Sequence, residues 1–185
     1  MKKALYLFAA VIFILTGTAY AQVGSPVSIN LAIGGGVSMP SGDFSNTYKT
    51  GYHGAAKVRI GSLLPLDLVG AVAYHHYADT SGSYAVNLLG ISAGVEYPIP
   101  SVEIKPYLSA EIALNSLSDN TPNSSTRSRQ GVNLGVGAQF MGLDASVKYE
   151  MINLMGKQDI TVANGTISEP SYNQIVINLS YVFGL

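Results

Sequence analysis

From Val27 onward, apolar residues recur at every second position rather than at helical spacing. This is the periodicity of β-strands with one greasy face. The final segment shows it best. Ile175, Ile177, Leu179, Tyr181, Phe183 and Leu185 share one face, and Gln174, Val176, Asn178, Ser180, Val182 and Gly184 share the other. Near the beginning, Val27, Ile29, Leu31, Ile33, Val37 and Met39 alternate in the same way with Ser28, Asn30, Ala32, Gly34, Gly36 and Ser38. Six further runs lie at about 52–61, 66–77, 84–97, 104–117, 130–140 and 143–151, so the pattern predicts eight strands.

The links between the runs alternate too. Those near 62–65, 98–102 and 141–142 are short, whereas those near 40–51, 78–83, 118–129 and 155–171 are longer and rich in Ser, Asn, Asp, Thr and Gly. Short turns at one rim and long loops at the other describe an all-β, eight-stranded antiparallel up-and-down barrel. Charged residues are only 11% of the chain, against about 25% in ordinary soluble domains. So little charge favours a transmembrane barrel with its greasy face toward lipid over a soluble lipocalin-like barrel with that face inside.

The polar faces carry Gly, Ala, Ser and Asn together with charges of both signs. These are Lys57, Arg59, Lys105 and Lys148 against Asp67, Glu96, Glu111, Asp144 and Glu150. An eight-stranded barrel is just wide enough to be filled by side chains, so these nine residues form an expected lumenal charge cluster, structural or gating. Tyr97, Phe140, Tyr181 and Phe183 near one set of strand ends, and Tyr52 and Tyr74 near the other, suit interfacial girdles. Closing the first strand onto the last leaves no unpaired edge in hydrocarbon.

Residues 1–21 carry Lys2 and Lys3, an apolar run from Ala4 to Leu15, and the small-residue sequence Ala19-Tyr20-Ala21. They read as a signal peptide, cleaved to leave a single barrel domain at 22–185. Losing its two lysines takes 10 basic residues to 8 against 11 acidic, a net charge of about −3 that disfavours nucleic acid as a partner. The chain has no cysteine, hence no disulfide framework.

Candidate chemistry is sparse. Adjacent His75 and His76 point to opposite faces of a strand, which argues against a metal site and leaves rim polarity as the plainer reading of His53, His75 and His76. Gly34-Gly35-Gly36 lacks the Lys and Ser or Thr of a phosphate-binding loop, and packing and bending of the barrel account for it better. No cofactor is expected. No serine, histidine and acid motif of a lipid-modifying barrel enzyme is evident, although that class stays open as an alternative.

Several local segments carry a resemblance. They are Gly34-Gly35-Gly36 leading into Pro40-Ser41-Gly42-Asp43-Phe44, then Lys105-Pro106-Tyr107, residues 143–154, and Tyr181-Val182-Phe183. With the leader, they make the chain resemble the small outer-membrane β-barrel family, OmpA-like and OmpX-like, over nearly all of residues 22–185. The resemblance implies an outer membrane of Gram-negative type, surrounding lipids and lipopolysaccharide as partners, and insertion by the barrel-assembly machinery. That machinery would read the last strand through Tyr181, Phe183 and Leu185, where many relatives end on an aromatic residue instead. The chain stops at the barrel, so no peptidoglycan-binding domain is implied. The expected role is non-enzymatic, structural or surface-interacting through loop residues Asp43-Phe44, 118–129 and 157–169; a narrow gated pore is the alternative.

Overall fold

The computed structural model describes residues 27–61, 65–82, 84–100, 103–119, 126–155, 160–162, 165–167 and 169–184. The leader, Leu185 and much of the expected interaction loops at 118–129 and 157–169 lie outside the described residues. The chain forms β1 (Ser28–Ser41), a one-turn helix α1 (Asp43–Thr47), β2 (Gly51–Gly61), β3 (Asp67–Ala78), β4 (Ala85–Pro98), β5 (Lys105–Asp119), β6 (Arg127–Phe140), β7 (Leu143–Met155), β8 (Ile160–Val162), β9 (Gly165–Ile167) and β10 (Asn173–Gly184). Eight of the strands close into a barrel in the order β1-β10-β7-β6-β5-β4-β3-β2, with every neighbour antiparallel. The short β8 and β9 pair only with each other, in the longest loop.

The alternating faces separate as the period-two pattern requires. Ile33, Leu108, Ile112, Leu134, Val147 and Leu179 are exposed on the outer wall, while Lys57, Arg59, Glu96, Glu111, Asn133 and Asp144 are buried inside. Such an inversion is stable only when the outer wall meets hydrocarbon. The expected girdle residues Tyr52, Tyr74, Tyr97, Phe140, Tyr181 and Phe183 all face outward, and Tyr181 and Phe183 meet edge to face at 4.8 Å.

Strands β6 and β7 join through Met141 and Gly142 at φ 49° and 81°. Two positive-φ residues in a two-residue loop match the right-handed twist of the flanking strands, as a type I′ turn does. At the other end, β7 leaves the β6 ladder between the pairs Val132–Met151 and Gln130–Met155. The backbone groups released there find partners. Asn115 donates to the Ile152 carbonyl at 2.9 Å, and the Ile152 amide donates to the Tyr172 carbonyl at 2.8 Å.

The seam between β1 and β10 pairs Gly34 with Ser180 and Gly36 with Asn178. A Cβ on Gly34 would run into the Leu179 carbonyl oxygen, and one on Gly36 into that of Ile177. The glycine run therefore lets two backbones approach. Gly36→Val is expected to cost roughly 2 kcal/mol, as overpacking does. A lower urea midpoint for the folded band on an unheated gel checks this.

Candidate functional site

The lumen is the place where this chain gathers its polar chemistry, and it is layered along the barrel axis. At the short-turn end, β2 supplies Lys57 and Arg59, β4 Glu96, β5 Tyr107 and β7 Asp144. Lys57 Nζ donates to Glu96 Oε1 and to Asp144 Oδ2, each at 2.9 Å, and to the Tyr107 hydroxyl at 3.2 Å. Arg59 pairs with Glu96 and reaches Asp144 Oδ2 at 3.1 Å. Asp144 also accepts from Tyr107 at 2.6 Å and from Gln139 at 3.1 Å. Both cations lie about 5 Å from the centre of the Tyr107 ring (4.9 and 5.0 Å). The network matches two buried cations with two buried carboxylates, which is the condition under which buried charge is tolerated.

Farther up, Lys148 pairs with Glu111, which also accepts from Ser92 at 2.6 Å. A cavity of about 50 Å³ lies beside Lys148, lined by both small apolar and polar side chains. Above it, the Ser38 hydroxyl sits between the Nδ1 atoms of His53 (3.0 Å) and His75 (2.8 Å), and His53 Nε2 faces Asn178 Oδ1 at 3.2 Å. Glu150 accepts from Gln174 Nε2 at 2.6 Å, and Gln174 in turn accepts from Tyr77.

The long-loop end is closed differently. Tyr77, Val86, Leu88, Leu117 and Ile152 point inward and form an apolar cluster, with Phe44 from α1 set into it. Phe44 is 1% exposed, and its ring lies 5.3 Å from Tyr77, 5.0 Å from Tyr48 and 5.5 Å from Tyr172. Hydrogen bonds hold this cap in place. Lys49 N donates to Ala78 O and Thr80 N to Thr47 O, both at 2.9 Å, and Ser171 N donates to Asp43 Oδ2 at 3.1 Å. Outside the cap, Arg129 forms a bidentate pair with Glu169, joining β6 to the segment before β10.

Of the nine expected lumenal charges, the fold brings Lys57, Arg59, Glu96 and Asp144 into one network and Glu111 with Lys148 into another. Asp67 lies at the edge of the first, 3.9 Å from Arg59, and Glu150 binds Gln174 instead of a cation. Lys105 is exposed at the start of β5 and joins none of the ion pairs among the described residues, because its inward position falls at the rim. Two readings are corrected. His53 and His75 are buried in the lumen, not rim residues; His76 alone faces outward, against Asn87 (2.8 Å) and the Tyr52 ring. Phe44 seals the mouth and is not an exposed loop contact. Tyr107 was missed as a network member, although an aromatic on the polar face of its strand marks it.

A closed barrel with an apolar outer wall and a filled polar lumen defines a small outer-membrane β-barrel. The chain belongs to the outer membrane protein beta-barrel domain family, whose family model matches residues 7–183. No curated protein matches it significantly by sequence. Among solved structures, the chain is similar to Neisserial surface protein A (19% identity, 86% of this chain and 98% of that one, TM-score 0.55). It is also similar to the attachment invasion locus protein of Yersinia pestis, solved with a heparin analogue (15%, 86% and 100%, 0.51), and to a major outer membrane protein of Thermus thermophilus (12%, 87% and 100%, 0.52). At these identities the likeness is one of fold.

Proposed function

We propose that this protein is a non-enzymatic, non-conducting barrel that acts structurally or through surface interactions at its long-loop rim. It would be exported by a cleaved leader, inserted by the barrel-assembly machinery, and surrounded by outer-membrane lipids and lipopolysaccharide. The observation that carries the reading is the double closure of the lumen, by the Lys57-Arg59-Glu96-Asp144 network at one end and the Phe44 cap at the other. An enzymatic reading has less support. Ser38 lies beside two histidines, but it faces the sealed interior, where lipid has no access.

A pore reading draws on the cavity and on the Glu111–Lys148 pair, whose rearrangement would widen the middle of the lumen. The apolar cap stands in series with that pair. Protein inserted into a planar bilayer is therefore expected to be silent, and Glu111→Gln or Lys148→Met alone is expected to leave it silent. Insertion is verified separately by heat-modifiable mobility on a gel. Discrete channels from the unaltered chain would favour the pore.

A further inference from the structure

Two buried imidazoles sit directly beneath the cap that closes the long-loop mouth. His53 on β2 and His75 on β3 are register partners, with their rings 5.1 Å apart. Both present Nδ1 to the Ser38 hydroxyl of β1, at 3.0 and 2.8 Å. From His75 the contacts run to the cap without a break. Its ring lies parallel to that of Tyr77, 6.1 Å away with 5° between the planes, and Tyr77 meets Phe44 edge to face at 5.3 Å. The backbone follows the same path, because Ala78, next after Tyr77 on β3, accepts from Lys49 N just beyond α1. Toward the middle of the barrel, both imidazoles line the cavity of about 50 Å³, so a displaced ring has space to enter.

We infer that this pair is an acid-sensitive catch for the cap: with the rings neutral the mouth is shut, and proton uptake by both releases α1. The inference goes beyond the reading of a closed lumen and rests on it. Charge around the rings decides the sign. Lys148 and Glu150 of β7 and Lys57 of β2 line the same cavity, Glu111 of β5 pairs with Lys148, and Tyr77 of β3 stacks on His75. Strands β1, β4, β6 and β10 contribute only uncharged groups there, such as Ser38 and Asn178. Lys148 is matched by Glu111, and Lys57 by Glu96 and Asp144. Among the described residues this leaves Glu150 to offset one added proton and no group to offset a second. Two imidazoliums at this spacing, beside Lys148, repel strongly where little water screens them. At least one ring therefore stays neutral while the cap is shut. An imidazole in water takes its proton near pH 6.5, so the shut form has its full advantage above about that pH and loses roughly tenfold per pH unit below it for each ring held neutral. The Lys57-Arg59-Glu96-Asp144 network lies at the other end, so release opens the cavity to the long-loop side without making a channel.

The test is electron paramagnetic resonance of the refolded barrel in lipid vesicles, with a nitroxide on Asn46→Cys. Asn46 is an exposed position of α1, and the chain has no cysteine of its own. The label should be immobile at about pH 7.5, and its mobile fraction should rise reversibly ~10-fold or more by about pH 5. His75→Phe keeps a ring on Tyr77 without a titratable nitrogen, and His53→Gln keeps polar atoms toward Ser38 and Asn178. Each should flatten the response. Lys148→Met removes a neighbouring cation and should move the midpoint up by about half a pH unit or more. Asp43→Asn, which keeps an acceptor for Ser171 N, should leave the response in place. A label that stays immobile in folded wild type at the lower pH, a response that survives in both histidine variants, or one that disappears in Asp43→Asn would overturn the catch. A label already mobile at the higher pH would overturn the closed mouth and the catch with it. The gel mobility of the same samples separates each of these from loss of the barrel.

Discussion

Replacing Asp144 with alanine is expected to remove about 3–5 kcal/mol of barrel stability, the usual cost of deleting one partner of a buried ion pair. Asp144 is fully buried and accepts from Lys57, Arg59, Tyr107 and Gln139. Without it, two buried cations face Glu96, with Asp67 3.9 Å from Arg59 as the remaining acid nearby. The measurement is the urea midpoint of the folded form in lipid vesicles. Asp144→Asn should cost less, because it keeps an acceptor for the hydroxyl and amide donors while losing the charge. Adding Lys57→Met to Asp144→Ala should recover part of the loss by removing one uncompensated cation. A single-variant loss below about 1 kcal/mol would mean that water or a neighbouring acid replaces the carboxylate, and the network would not be a structural plug.

Phe44→Ala should act at the opposite end and in a different way. Removing a buried phenylalanine ring costs about 3–5 kcal/mol in a well-packed core. Here the loss should fall largely on the cap itself, because the barrel ladders below it are complete. Amide exchange is expected to rise at least ~10-fold across Asp43–Thr47, equivalent to about 1.4 kcal/mol of local stability, while amides in the middle of β2 and β5 keep their protection. With the cap weakened, the Glu111–Lys148 pair becomes the next obstruction. Phe44→Ala combined with Glu111→Gln is nevertheless expected to stay silent in a planar bilayer, because the Lys57-Arg59-Glu96-Asp144 network still closes the short-turn end. Unchanged exchange in Asp43–Thr47 would show that the backbone bonds from Lys49 and Thr80 hold the lid without the ring.

The outer wall was legible because its rule is local. Residues such as Leu108, Ala110, Ile112 and Leu114 all need the same surroundings, so period-two alternation marks them without knowledge of any partner. The closing seam followed from the even strand count. Much of the lumenal composition was legible for the same reason, since Lys57, Glu96, Glu111 and Asp144 stand on the polar faces of their strands. The cap was not. Val86, Leu88, Leu117 and Ile152 are apolar residues at inward positions, contrary to the alternation elsewhere, and they make sense only once Phe44 is set among them. The one-turn helix that carries Phe44 has too few residues to show a helical period.

The eight barrel strands, the face that meets lipid and the end that carries the long loops were legible in the chain, because each depends on neighbours within a strand or on loop length; the β8–β9 hairpin was not. Which charges pair, that Lys105 stays at the rim, that two histidines share Ser38, and that an aromatic ring seals the mouth emerged with the fold. Those outcomes depend on register across the sheet, and contacts such as Lys57 with Asp144 join residues far apart in the chain. Alternation sets which face a residue occupies, whereas closure of the barrel sets its height and its partner.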